Sequence, residues 1–188
     1  MRRCRAWCGT WWPRWFAVAD AELALIALGA NLADPPAAVR AAATRLAELG
    51  ELAARSSIYR TDPVGGPSGQ PPYLNAVVAL RPSSGLVTCS ELLAQLHRIE
   101  VEFGRVRRVR WEARVLDLDL LAFGDRVEEV PGLTVPHPRI LERPFVLVPL
   151  VEVAPSWRHP RSGERAADAL ARLDASGVRR SGVSWIPR

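Results

Sequence analysis

The run Arg114-Val115-Leu116-Asp117-Leu118-Asp119-Leu120-Leu121 reads as a β-strand with one apolar face and one charged face. Side chains alternate across a strand, so Leu116, Leu118 and Leu120 point into a core. Asp117 and Asp119 point together to the other side, roughly 6–7 Å apart. Carboxylates held side by side repel unless a cation sits between them, and oxygen-only donors favour a hard ion such as Mg²⁺. Just upstream, Arg105-Val106-Arg107-Arg108-Val109-Arg110-Trp111-Glu112-Ala113-Arg114 brings five arginines to the acidic pair. Guanidinium groups flanking two carboxylates are the charge layout of a site for a polyphosphate with its metal. Taken alone, the same residues also suit a strand that shows a polar face to water beside a solvated arginine run.

Composition narrows the chemistry. All 25 residues counted as Lys or Arg are Arg, and the formal net charge is +5. Without Lys there is no Walker-type phosphate loop, so phosphate binding falls to Arg, backbone N–H groups and metal. At 188 residues, 48% hydrophobic and 24% charged, the chain suits one domain with its own core. Cys4, Cys8 and Cys89 lack zinc-ligand spacing and read as unpaired thiols of a reducing compartment, which makes the cytoplasm the expected location. No apolar stretch approaches the ~20 residues of a membrane span. Residues 1–20, with Trp7, Trp11, Trp12, Trp15 and several Arg but no period, read as a poorly ordered extension. The expected layout is therefore an extension over 1–20, a domain over 21–175 and a C-terminal tail over 176–188.

Periodicity supplies the elements. Residues 23–28 predict a buried strand ending at Gly29-Ala30-Asn31. Asp34 caps a helix with Pro35-Pro36 in its first turn, Val39, Ala42, Leu46 and Leu49 on its apolar face, and Gly50 at its end. Residues 52–59 predict a second strand, 61–72 a Pro- and Gly-rich loop, and 73–80 a third strand. Thr88 and Glu91 form a capping box before a helix with the stripe Leu92, Leu96, Ile99 and Phe103. The Asp-x-Asp strand follows. The order β-α-β-β-α-β predicts a ferredoxin-like α+β fold, an antiparallel sheet in a three-layer α/β/α sandwich. Beyond it lie the turn Pro136-His137-Pro138, an apolar segment to residue 155 and a short helical pattern over 166–173.

Four stretches in this order resemble the 6-hydroxymethyl-7,8-dihydropterin pyrophosphokinases of folate biosynthesis. They are Leu28-Gly29-Ala30-Asn31-Leu32, Ser56-Ser57-Ile58-Tyr59-Arg60-Thr61, Tyr73-Leu74-Asn75-Ala76, and residues 104–119 continued by Leu133-Thr134-Val135-Pro136-His137-Pro138. The resemblance implies transfer of pyrophosphate from ATP to the pterin hydroxymethyl group, with release of AMP. It implies Asp117 and Asp119 as ligands of two Mg²⁺ ions, with Arg105 and Arg114 completing the catalytic set. Glu100, Arg107, Arg110, Trp111, Thr134, His137 and Arg143 fall on the nucleotide side. Thr61, Val64, Tyr73, Asn75, Phe145 and again Trp111 fall on the pterin side. It further implies a monomer that acts on small molecules, with no nucleic acid or membrane partner.

The chain also departs from the pattern. Ala30 stands where the family usually has Ser, Glu112-Ala113 where it usually has Gly-Pro, and Pro138 where an aromatic is common. Two other readings suit the charge: an Arg-rich nucleic-acid-binding module on the same fold class, or a family member that binds its ligands and turns over weakly.

Overall fold

Strand β1 (Ala24–Ala30) is the apolar run, and it lies inside the sheet. It pairs antiparallel with β4 (Tyr73–Pro82) on one side and with β5 (Asp117–Phe123) on the other. The computed structural model describes residues 23–63, 69–86, 88–104 and 114–186. Between β1 and β4 come helix α1 (Pro35–Ala47) and two short strands, β2 (Gly50–Arg55) and β3 (Tyr59–Thr61), both antiparallel to β4. Helix α2 (Cys89–Glu102) carries the chain from β4 to β5. With β2 and β3 taken as halves of one strand, this is the ferredoxin-like order, and every pairing in the sheet is antiparallel.

After β5 a hairpin forms from β6 (Glu128–Val130) and β7 (Leu133–Val135). A 3₁₀ turn at Ile140–Glu142 leads into helix α3 (Pro144–Val153), then α4 (Ala166–Leu170) and strand β8 (Val178–Arg180). The helix starts obey local chemistry. Asp34 accepts a hydrogen bond from Ala37 N at 2.9 Å, and Thr88 and Glu91 form the reciprocal capping box.

Strand alternation divides the core in two. Ile26, Leu28, Val78, Leu80, Leu118 and Leu120 face α1 and α2, where Val39, Leu46, Leu92 and Leu96 meet them. Leu25, Val77, Ala79 and Leu121 face Val146, Leu147 and Leu150 of α3 and Ala166 and Ala169 of α4. Helices thus cover both faces of the sheet, the expected α/β/α layering.

Three local features depart from expectation. The single strand predicted over 52–59 is broken, because Ser56 inserts its side chain into the ladder. Its Oγ accepts from Val77 N at 3.0 Å, so residues 56–58 leave strand geometry. Gly50 does not end α1; it opens β2, where a Cβ would lie 2.1 Å from Arg81 O. The predicted tail over 176–188 contains β8, which adds to the sheet beside β3. Its register is fixed by contacts distant in sequence, among them Trp185 Nε1 donating to Ser56 O at 2.7 Å. The extension over 1–20 lies outside the described residues.

Candidate active site

A row of residues crosses the sheet at one level. Asp117 of β5 sits opposite Gly29 of β1, Gly29 opposite Asn75 of β4, and Asn75 opposite Tyr59 of β3. One residue pair away on the same face, Asp119 is opposite Ala27, and Thr61 is opposite Tyr73. Phe145 and Val146, from the first turn of α3, join these residues around one hollow. The result is a cleft of about 470 Å³ whose floor is Ala27, Gly29 and Asn75. Gly29 keeps that floor flat, since a Cβ there would stand 3.2 Å from Asn75 Oδ1 and 3.8 Å from Asp117 Cβ.

One end of the cleft is ionic. Arg114 Nη1 pairs with Asp117 Oδ2 at 2.5 Å, and Arg143 Nη1 lies 3.9 Å from Asp119 Oδ2. The carboxylates are part-exposed, with Asp117 at 23% and Asp119 at 40%. Burial works against the charge on Arg143, and Asp119 is the strongest influence sustaining it. His137 stands beside them. Burial, followed by the positive charge of Arg143, pushes its pKa down to about 4, so the ring is neutral near pH 7. Its Nδ1 accepts from Arg139 N at 3.1 Å, which leaves the ring proton on Nε2 as a donor.

The other end is flat and aromatic. Tyr73 and Phe145 line it, with Asn75 Nδ2 donating to Thr61 Oγ1 at 2.6 Å. The Tyr73 hydroxyl donates to Gln70 Oε1 at 3.1 Å, and burial raises its pKa. A second cleft of about 320 Å³ adjoins the first through Asp119 and His137, and Thr134, His97, Leu118 and Leu133 line it.

The structure thus gathers Thr61, Tyr73, Asn75, Arg114, Asp117, Asp119, His137, Arg143 and Phe145 around one cleft, and Thr134 beside it. Glu100 sits behind β5. It is 1% exposed and lines neither cleft; its Oε1 accepts from Leu118 N at 2.8 Å, between the two aspartates. Strand β5 is the edge of the sheet on that side, so a side-chain carboxylate takes the place of a neighbouring strand for this amide. Val64, Arg105, Arg107, Arg110 and Trp111 lie outside the described residues. Gly29 and Arg139 also line the cleft and were missed from sequence. The signals were a glycine ending a buried strand and an arginine two residues after the turn histidine.

Two carboxylates on one strand face at the wall of an open cleft fit a hard cation. Among the described residues no group of three or more His, Cys, Asp or Glu side chains could hold a metal alone. An ion at Asp117 and Asp119 would therefore complete its shell with water and phosphate oxygens, as Mg²⁺ commonly does.

The model of the 7,8-dihydro-6-hydroxymethylpterin-pyrophosphokinase family matches residues 25–155. The chain belongs to this family. Among its relatives, the 2-amino-4-hydroxy-6-hydroxymethyldihydropteridine pyrophosphokinase of a Synechocystis strain is 42% identical over 157 residues, covering 82% of this chain and 78% of that protein. The enzyme of the same name from Pseudomonas aeruginosa is 41% identical over 157 residues, covering 82% of this chain and 94% of that protein. In fold the chain is similar to the Plasmodium falciparum HPPK-DHPS crystal structure, with a TM-score of 0.63 at 14% identity over 84% of this chain. This chain spans about half of that one, 47% of its length. Family membership favours the enzyme over the nucleic-acid-binding reading. Among the described residues, no helix is long and apolar enough to cross a membrane.

Proposed function

We propose that this chain transfers the pyrophosphoryl group of ATP to the hydroxymethyl group of 6-hydroxymethyl-7,8-dihydropterin, a step of folate biosynthesis. The pterin hydroxyl oxygen bonds to the β-phosphorus, the bond from that phosphorus to the oxygen bridging the α-phosphate breaks, and AMP leaves. The observation that carries this reading is the row Asp117–Gly29–Asn75, which sets a cation-holding group and a heterocycle-edge group on one flat floor.

The residues divide the work. Tyr73 and Phe145 offer aromatic surface to a flat heterocycle, and the Asn75 amide and Thr61 serve its polar edge. Asp117 and Asp119 would hold two Mg²⁺ ions, which supply charge neutralisation for the triphosphate and a lowered pKa for the attacking hydroxyl. Arg114 and Arg143 already sit at the carboxylates; with nucleotide bound they turn to phosphate oxygens, for which a planar guanidinium is well shaped. His137 adds a neutral Nε2–H donor. Thr134, in the adjoining cleft, faces the nucleoside end. Arg105, Arg107, Arg110 and Trp111, and Val64 on the pterin side, keep the roles that the family resemblance implies. Glu100 holds the strand between the two aspartates from behind, through Leu118 N, and keeps the nucleotide-side role that the family resemblance implies.

The test is AMP release from ATP with Mg²⁺ and the dihydropterin. Asp117→Asn and Asp119→Asn should each lower turnover by roughly 100-fold or more, about 3 kcal/mol of lost transition-state stabilisation. Their melting temperatures should stay close to that of the parent chain. Ordinary AMP release by either variant at ordinary Mg²⁺ would sink the two-carboxylate site.

A further inference from the structure

Among the described residues, three carboxylates line the main cleft: Asp62, Asp117 and Asp119. The two on β5 pair with Arg114 and Arg143 and stand where a cation would sit. Asp62 is different. It follows the last residue of β3 and is exposed at the cleft wall. The arginines of the cleft are engaged elsewhere, Arg114 and Arg143 with the aspartates of β5 and Arg139 with Glu142 at 3.3 Å.

The sheet fixes what Asp62 can reach. The strand order β5-β1-β4-β3 puts three strand spacings between Asp117 and Thr61, roughly 14 Å. Asp62 comes directly after Thr61, so it is too far away to share a cation with Asp117 and Asp119. For the same reason it is out of reach of a hydroxyl that attacks phosphorus at the ionic end, and it is no general base for that step. Its place is at the opposite edge of a ring lying on the floor.

That edge is rich in acceptors. Asn75 Nδ2 donates to Thr61 Oγ1 at 2.6 Å, which leaves Asn75 Oδ1 over Gly29 as an acceptor. Asp62 adds two carboxylate oxygens. In 6-hydroxymethylpterin the hydroxymethyl carbon and the 2-amino group stand at opposite ends of the fused rings. With the hydroxyl at the ionic end, the 2-amino and N3–H groups face β3. These neighbouring N–H donors suit a carboxylate in the way the fork of a guanidinium does.

We propose that Asp62 is a specificity-determining residue that reads the 2-amino group of the pterin and turns away rings with oxygen at that position. The inference rests on the function proposed above. A 2-oxo ring would set a carbonyl against the carboxylate. A site built to hydrogen-bond a substrate N–H discriminates strongly against an analogue that lacks it.

The probes are 6-hydroxymethylpterin and 6-hydroxymethyllumazine, its 2-oxo counterpart, each followed by its own fluorescence with α,β-methylene ATP and Mg²⁺ present. The unmodified full chain should bind the amino ring about 100-fold more tightly than the oxo ring. Asp62→Asn keeps the shape and exchanges one acceptor for a donor. It should lower that ratio by about tenfold, weakening the amino ring and strengthening the oxo ring. Its melting temperature and its affinity for the nucleotide analogue alone should match those of the unmodified chain. A carboxylate that only shapes the loop would instead change both ring affinities together, with the ratio kept. A kept ratio in Asp62→Asn, or equal affinity of the unmodified chain for the two rings, would each overturn the assignment while leaving the enzyme reading intact. Failure of the unmodified chain to bind 6-hydroxymethylpterin would overturn the enzyme reading itself, and the assignment with it.

Discussion

His137 shows how its surroundings alone can set what a side chain does. Burial and Arg143 hold its pKa near 4, against an ordinary value near 6.5. The unfolded chain therefore takes up a proton below about pH 6.5 that the folded chain refuses until about pH 4. Stability must fall as the pH drops through that window and is indifferent to this group above it. His137→Gln removes the loss. The acid limb of its stability curve, measured by urea unfolding between pH 7 and 4, should be shallower by on the order of 2 kcal/mol. An unchanged limb would mean that the ring is not held neutral. The paired aspartates were legible in the sequence because alternation alone puts them on one face. Burial of Glu100 was not, since a helix charge near a C-terminus reads as exposed until the strand behind it is known. Asp62 was equally hidden, because a charge in a Pro- and Gly-rich loop reads as solvated until the cleft beside it is known.

Among the elements, β8 has no strong sequence signal, and its stability comes from what it meets. Glu152 of α3 accepts from Ser57 N at 3.0 Å, Ser57 Oγ at 2.8 Å and the Tyr59 hydroxyl at 2.8 Å, and pairs with Arg180 of β8 at 3.2 Å. Burial opposes the charge on Glu152, and these hydrogen bonds outweigh it, so the carboxyl stays below its ordinary range. Trp185 then packs against the main core and donates to Ser56 O. Trp185→Ala should cost roughly 2 kcal/mol, about half the loss at a fully buried tryptophan plus one hydrogen bond. Denaturant unfolding measures it, and a change below about 0.5 kcal/mol would mark β8 and its tail as dispensable. The long helices were readable from caps and period. The short strands β3 and β8 were not, because three residues carry too little pattern and their pairing is decided by Ser56 and by Trp185.

At the scale of the molecule, the order of elements followed from alternation and capping, and the α/β/α layering followed from that order. Among the described residues the buried core begins at Ala24 of β1, and the family match begins at residue 25. A chain lacking residues 1–20 should therefore keep its melting temperature within a few degrees and its AMP release within about twofold. A large fall in either would show that the Trp-rich extension contributes to the domain. The bare floor at Gly29 has a consequence for which alcohols can react. Asn75 and Asp117 are separated by one intervening strand, hence by about 10 Å of rigid ladder. The sheet acts as a ruler with the ring held at one mark and the phosphorus brought to another. A homologue with a hydroxyethyl arm would seat its ring as well as the natural acceptor does and overshoot the mark with its oxygen, occupying the enzyme without being consumed.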